Sequence, residues 1–525
     1  MPYADFNRPS TVAALEGHDV CIIGAGAAGI LLAIRLTSQN RKVLLIESGD
    51  LVPDEEKQAL NEIEQTAKQM RDPVWNRKRI VGGTTTAWGG QSLPFSPLDF
   101  VRRDWVTSSG WPIEYGDVAK YYDAANAFLH VDNWNYDSDL LTRFGVKYPL
   151  IEGGVNYHFS KWAPEPNLHK LYRRDLKKNV TVLYNAHLVR IDLHENGRVQ
   201  SLSIANFVGF IHRLSVGEVI LAAGGIETNR ILLLNDHQVA GGLGNHSGWL
   251  GRAFMDHPSI VGGTIVPNDL KQFQSLFGTR VYRRRRYSTR LSAPTAWQKK
   301  NQLLNVSATF LFPYPDGLSD PFHAIKQLSR QKRIKAVFEV IRHFPKLTQS
   351  ALALAMHGYL YKPGSSAVFG MNVEQEPLFG SYIALAKSRD QFGLRKASLH
   401  WTISEKSWQT AVLFAKRVKV ELERANLATV QLNPQLYAKN LDWENQFSDV
   451  NHHMGGTRMS SVASQGVVTP DLQVWGIPNL SVASCSVFPT SSHSNPTLTL
   501  LALCERLSER MKKSMLPRIL SRLLD

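Results

Sequence analysis

The chain has 525 residues, too many for one hydrophobic core, and its 43% hydrophobic and 20% charged residues exclude a disordered or fibrous class. A net charge of +15, with no recognised nucleic-acid-binding motif among the basic residues, argues against nucleic acid as a partner. Three cysteines (Cys21, Cys485 and Cys504) lack metal-ligand spacing, and the opening residues carry no basic start followed by an apolar core, so a reduced, cytoplasmic location is expected.

In chain order, Val20–Ile23 is a short β-favouring apolar run, and Gly24, Gly26 and Gly29 follow as G-x-G-x-x-G. Gly24 permits a tight turn, Gly26 lets a pyrophosphate approach the backbone, and Gly29 lets the next helix pack closely on its strand. Residues 27–36 read as that helix, whose N-terminal N–H groups face anionic oxygens. A second strand, Val43–Ile46, delivers Glu47 where an acid accepts hydrogen bonds from an adenosine ribose. The apolar stretch 20–34 is too short to span a bilayer.

Gly82, Gly83, Gly89 and Gly90 then bracket residues 84–88, a loop able to wrap around a flat cofactor and offer N–H groups and threonine hydroxyls; a glycine-rich surface loop is the plainer alternative. A helix is expected over 116–128, and buried strands over 180–188 and at 219–221, with Gly224 and Gly225 opening a helix at Glu227. A domain boundary is placed near 265. Much of the excess positive charge lies in 283–286, in the amphipathic stretch 325–346 and in the tail, read as a solvated surface, an anionic membrane contact or a site for an acidic substrate or partner. Residues 370–404 read as a hairpin turning at 390–393, with Leu399, Trp401 and Ile403 on one face, and 405–425 as a helix.

The chemistry sits at the end. His452, His453 and His493 are rival candidates for a general base, since an imidazole titrates near neutrality. A metal site built on them is disfavoured, because no carboxylate or cysteine cluster accompanies them. Asn495 before Pro496 is an ordinary helix start, and its amide can also orient a hydroxyl. Residues 480–482 read as a strand and 497–511 as a helix.

The fingerprint ending in Glu47, the GGTTTAWGG loop, GWPIEY, VILAAGGIETNRILL, the hairpin with EQEP and DQFG, HHMGGTRM and SNPTLTLLAL together resemble the glucose-methanol-choline (GMC) family of flavin oxidoreductases over nearly the whole chain. The resemblance is nearest in motif style to the sugar-oxidising, pyranose oxidase-like members. It implies an α/β, Rossmann-like FAD-binding domain of discontinuous segments (1–100, 150–265 and 446–525) and an α+β substrate domain with an antiparallel sheet (101–149 and 266–445, with a basic insertion at about 280–360).

It further implies FAD as cofactor, held by Gly24, Gly26, Ala27, Ala28, Gly29, Glu47, Ser48, Gly83, Thr84, Thr85, Trp88, Gly89, Gly90, Leu188, Ala223, Gly224, Cys485, Asn495, Pro496 and Thr497. Ala87 stands where covalently flavinylated pyranose oxidases carry a histidine, so the FAD is expected to be non-covalent; Ser484 stands where many members carry an aspartate. The family's base falls on His452, with His453 the match if the register shifts by one, and its second position falls on Asn495. The implied reaction is hydride transfer from an alcohol, a sugar, glycoside or polyol, to flavin N5, with oxygen, a quinone or a protein as electron acceptor. The alternatives are a hydrophobic or lipid-linked alcohol taken at a membrane surface, and a flavoprotein partner subunit without turnover.

Overall fold

The computed structural model describes residues 3–137, 139–147, 149–150, 153–313, 344–364, 366–438 and 442–513. Among the described residues the chain forms four sheets. The first is six-stranded and parallel throughout, in the order Tyr3–Asp5, Thr181–Tyr184, Val43–Ile46, Val20–Ile23, Glu218–Leu221 and Leu480–Val482. Its central strands are apolar and buried at nearly every residue, because both faces are covered; this is why VCII and VLLI run without polar alternation.

Helix Ala27–Thr37 covers one face, packed between Pro496–Lys513 and Leu168–Asn179. Its close approach depends on Gly29, where a Cβ would stand 1.9 Å from the Gly24 carbonyl oxygen. Gly29→Ala is therefore expected to push the helix off the fingerprint turn at a cost of about 1–3 kcal/mol or more, and to lower flavin retention. The ratio of flavin to protein absorbance after purification, together with the melting temperature, checks this.

The second large sheet is antiparallel and has eight strands: Ala428–Leu432, Ser259–Pro267, Ala367–Val373, Val306–Leu311, Arg285–Ser292, Asn156–Trp162 and Gln91–Ser92, with Arg280–Tyr282 paired to Arg285–Ser292. Helix Glu405–Arg424 lays Ala411, Ala415, Val418 and Leu422 onto it, the three- and four-residue spacing of a helix with one apolar face. A five-stranded sheet carries the expected hairpin, Tyr382–Arg389 and Arg395–His400, with Leu399, Trp401 and Ile403 buried. Its other strands are Met454–Gly456, Arg252–Met255 and Ile63–Gln65, and three further strands (His187–Leu193, Val199–Ala205 and Ile211–Ser215) form a small antiparallel sheet.

Several local expectations change. The helix over 116–128 is two, Tyr115–Ala119 and Tyr122–Phe128; the break lets the Tyr122 hydroxyl accept from the Phe95 N–H at 3.2 Å and meet Thr499 Oγ1 at 3.0 Å. The strand over 180–188 is interrupted by Asn185, whose φ of 58° turns the chain from one sheet into the next. Strand Asn156–Trp162, placed by sequence in the dinucleotide-binding part, pairs inside the antiparallel sheet, and Ser259–Pro267 runs through the boundary drawn near 265. The segment 79–100 also passes the fingerprint, with Gly83 against Gly26, and then supplies the edge strand Gln91–Ser92, so the two parts interleave. Most of the basic stretch 325–346 and the tail from 514 lie outside the described residues. Among the described residues no helix is long and apolar enough to cross a membrane.

Candidate active site

At the carboxyl ends of the parallel strands lies a cavity of about 750 Å³, bordered by Gly24, Glu47, Ala222 and Ala483, where an open α/β sheet places its ligands. Of the positions assigned to the cofactor from sequence, Gly24, Gly26, Ala27, Ala28, Glu47, Ser48, Gly83, Thr84, Thr85, Trp88, Gly89, Leu188, Ala223, Gly224, Cys485, Asn495, Pro496 and Thr497 all border it. Gly29 and Gly90 do not. Gly29 faces the Gly24 carbonyl, and Gly90 faces Pro166 and Ala163, so both are packing glycines.

The cavity fits FAD. No atom of the protein stands within 4 Å of where a Cβ on Gly26 would be, so the mouth of helix Ala27–Thr37 is open, and no acid occupies its first turn to oppose an anion. Glu47 is fixed by two main-chain donors, Ala25 N at 2.9 Å and Gly49 N at 2.8 Å; burial raises its proton affinity and these donors pull it back. Of the threonine hydroxyls expected to serve the cofactor, Thr85 is taken up locally, donating to the Gly82 carbonyl and accepting from Leu168 N, whereas Thr84 accepts from Lys78 N and keeps its own proton to give. Trp88 is anchored by its indole N–H to the Pro166 carbonyl at 2.7 Å. Ala87 borders the cavity and has no side-chain atom to which a flavin could be joined.

The part of the cavity wall that carries His452 is assembled by one strand pairing. Met454–Gly456 runs antiparallel to Arg252–Met255, with Met255 opposite Met454, so the residues just beyond, Asp256–His257 on one side and Asn451–His453 on the other, come together. Gly455 is what lets the strands meet: its φ is 76°, and a Cβ there would stand 1.9 Å from the Ala253 carbonyl. Asp256 joins the two segments, its Oδ1 accepting from His257 N at 2.6 Å and His452 N at 3.0 Å.

His452 is thereby held with Nδ1 2.9 Å from Nδ1 of His257 and Nε2 3.5 Å from the Asn495 amide nitrogen. Of its rivals, His453 also borders the cavity, but its Nε2 lies 4.0 Å from Asp256 Oδ2 and its ring rests over Phe254. His493 is stacked on His158 with ring centroids 5.4 Å apart, and does not border the cavity. Asn495 immediately precedes helix Pro496–Lys513, as expected, and its Oδ1 accepts from Arg290 at 3.3 Å.

Burial sets the electrostatics. It depresses the proton affinity of His452 far below the imidazole norm, helped by His257, Arg290 and His453, and takes His257 down to about 4. Asp256 moves the other way, up to about 7, through burial and the neighbouring Asp449. The site therefore gathers neutral imidazoles and one buried guanidinium, Arg290, whose other partners are Gln91 Oε1 at 3.2 Å and Ser307 Oγ at 3.3 Å.

Sequence reasoning passed over His257, Arg290, Gln91, Asp256 and Asn451. Arg290 adjoins the basic run 283–286, which hides it, and the Asp-His-Pro triplet at 256–258 is a local signal that lies near the spot.

Residues 19–242 match a family model described as FAD dependent oxidoreductase, and 379–504 match one described as GMC oxidoreductase. A 2-methyl-1,2-propanediol dehydrogenase of Mycolicibacterium austroafricanum is 23% identical over 564 residues, covering 94% of this chain and 95% of that protein. A C-glycoside 3-oxidase of Microbacterium trichothecenolyticum is 31% identical over 148 residues, covering 27% of each. The crystal structure of a pyridoxine 4-oxidase from "Mesorbium loti" superimposes with a TM-score of 0.55 at 15% identity, over 94% of this chain and 99% of that one, which is a likeness of fold. The chain belongs to the glucose-methanol-choline family of FAD-dependent oxidoreductases and oxidises CH–OH groups of small molecules.

Proposed function

We propose that the alcohol is a sugar-like or other polyol, that His452 is the base that takes its hydroxyl proton, and that Asn495 holds the same oxygen in place. The observation that carries this is the convergence of His452 Nε2 and the Asn495 amide nitrogen, 3.5 Å apart, at the cavity wall. The polyol reading draws on Asn451, whose Oδ1 is buried at the same wall with no partner in the protein and can accept from a second hydroxyl, and on Gln91 and Trp162, which also line the cavity. The names of the diol dehydrogenase and glycoside oxidase among the relatives point the same way.

A hydroxyl placed between the two side chains receives a hydrogen bond from the Asn495 amide and gives its own proton to His452. Burial and the Arg290 guanidinium keep His452 neutral at rest, so it is ready to accept. FAD, bound along the fingerprint, supplies the hydride acceptor. In this reading the parallel sheet holds the cofactor, and the eight-stranded sheet lends Gln91 and Trp162 to a substrate site whose base is placed by the pairing of Met454–Gly456 with Arg252–Met255.

Because the proton affinity of His452 is depressed from the usual 6.5, the acid limb of kcat/KM, which reports the free enzyme, is expected below pH 6.5; activity falls only as pH drops through the depressed value. A kcat/KM profile corrected for stability at each pH checks this.

The reading itself is tested by anaerobic bleaching of the flavin with sugars, glycosides, polyols and long-chain alcohols. Bleaching by the polyhydroxylated members supports it. Bleaching by the long-chain alcohols alone would replace it with a hydrophobic-alcohol oxidoreductase.

A further inference from the structure

We propose that His257 is a positioning residue: by accepting the Nδ1 proton of His452 it holds that imidazole in the one neutral tautomer whose Nε2 lone pair faces the substrate. The inference rests on the reading of His452 as the base, and it comes from counting protons along a chain of contacts.

A main-chain carbonyl can only accept, so the contact at 3.0 Å between His257 Nε2 and the Ser491 carbonyl requires the proton of His257 to sit on Nε2. A neutral imidazole has one such proton, so Nδ1 of His257 is bare. The 2.9 Å contact between the two Nδ1 atoms then requires His452 to supply the proton, which leaves Nε2 of His452 unprotonated. The rings meet nearly at right angles, 88° between planes, with centroids 5.0 Å apart, so the pair does not stack and the contact is made through the nitrogens.

The other jaw is set in the same way. Arg290 has donors only, so the atom of Asn495 facing it at 3.3 Å must be the amide oxygen, and the amide N–H groups turn toward His452. The site thus presents one acceptor and one donor, the pair an alcohol oxygen needs when it gives a proton and keeps its place. His257 is completely buried, and the carbonyl it reads is itself held: Ser491 Oγ accepts from Gln375 N at 3.0 Å and donates to the Gln375 carbonyl at 3.2 Å. The groups whose charge bears on His257 are His452, Arg290, Glu374 and His493.

Two replacements separate positioning from packing. In His257→Asn the Oδ1 atom occupies roughly the place of Nδ1 and can still accept from His452. In His257→Gln the amide reaches toward the Ser491 carbonyl and offers no acceptor at the δ position. The expected result is a loss in the rate constant for flavin reduction of about 10²-fold in His257→Gln, with KM and flavin content little changed, and recovery of at least about 10-fold of that loss in His257→Asn. Histidine-selective ¹⁵N spectra, assigned by their loss in a His452→Gln protein, read the tautomer without turnover: Nδ1 of His452 is expected protonated and Nε2 bare in the wild type, and mixed in His257→Gln.

A wild-type spectrum with the proton on Nε2 would overturn the proposal, as would equal rates in the asparagine and glutamine variants at full flavin content. If the tautomer is as stated but His452→Gln turns over normally, the proposal for His257 stands as chemistry of the pair, and the assignment of the base is what fails.

Discussion

Replacing His452 with alanine is expected to slow flavin reduction by saturating substrate by about 10²–10⁴-fold, the usual contribution of a positioned general base. Flavin content should hold, since Gly26 and Glu47, where the nucleotide half of FAD would sit, are built by other segments. KM should change little, because the imidazole gains its advantage as the proton leaves and not when substrate first binds. His453→Ala is the matched control. Its Nε2 has no hydrogen-bond partner in the protein and stands 4.0 Å from Asp256 Oδ2, so removing it is expected to alter stability more than the chemical step. Asn495→Ala falls between: it removes one hydrogen bond to the substrate oxygen and leaves Arg290 a vacant donor, for a loss of about 10-fold in kcat/KM, or roughly 1.4 kcal/mol. Stopped-flow reduction under anaerobic conditions measures all three. A His453→Ala loss equal to that of His452→Ala would move the base by one residue.

How much of this was legible in the sequence follows from distance along the chain. The fingerprint was readable because strand, turn, helix and acid all fall within residues 20–47, and local sterics dictate each of them. His452 was readable as one of three candidates and separable from His453 only by resemblance, since adjacent histidines look alike until the strand pairing at Met454 aims them. What makes the site a site was not readable. The contact between His257 and His452 spans 195 residues, and that between Arg290 and Asn495 spans 205. Arg290 was further hidden by its context, RRYSTRLS: the first two residues of that strand are exposed, whereas Thr289 to Ser292 are buried in succession, so no alternation sets the inward arginine apart from its exposed neighbours. The two-part architecture was legible in kind but not at its seams, because strands such as Asn156–Trp162 and Ile63–Gln65 join a sheet other than the one their neighbours in sequence suggest.

Glu374→Ala is expected to destabilise the enzyme by about 3–5 kcal/mol, through the loss of a buried ion pair in which Arg103 is left alone. Arg103 and Glu374 are 1% and 0% exposed, and the guanidinium meets the carboxylate in two bonds, Nη1 to Oε2 at 2.7 Å and Nη2 to Oε1 at 2.5 Å; Oε2 also accepts from Asn305 N at 2.9 Å. With the carboxylate gone, nothing nearby replaces it fully: Asp99 is close, but its own burial raises its proton affinity, and its oxygens already serve Ser96, Asn305 and Ser492. Burial opposes the charge on Glu374 and Arg103 restores it, leaving the acid below its ordinary 4.5, so the stability it contributes is present above pH 4.5 and lost as pH falls through the depressed value. Glu374→Gln should lose that acid dependence and much of the stability together, while keeping an acceptor for Asn305. The consequence reaches the active site by a short path, since Gln375 is the next residue and holds the Ser491 loop whose carbonyl receives His257. Melting temperatures of wild type, Glu374→Gln and Glu374→Ala across acid pH, with flavin reduction rates measured on the fraction that stays folded, would show a fall in rate that tracks the loosening of that loop. A Glu374→Ala protein as stable as the wild type would mean that Arg103 finds another anion, with Asp99 the one at hand.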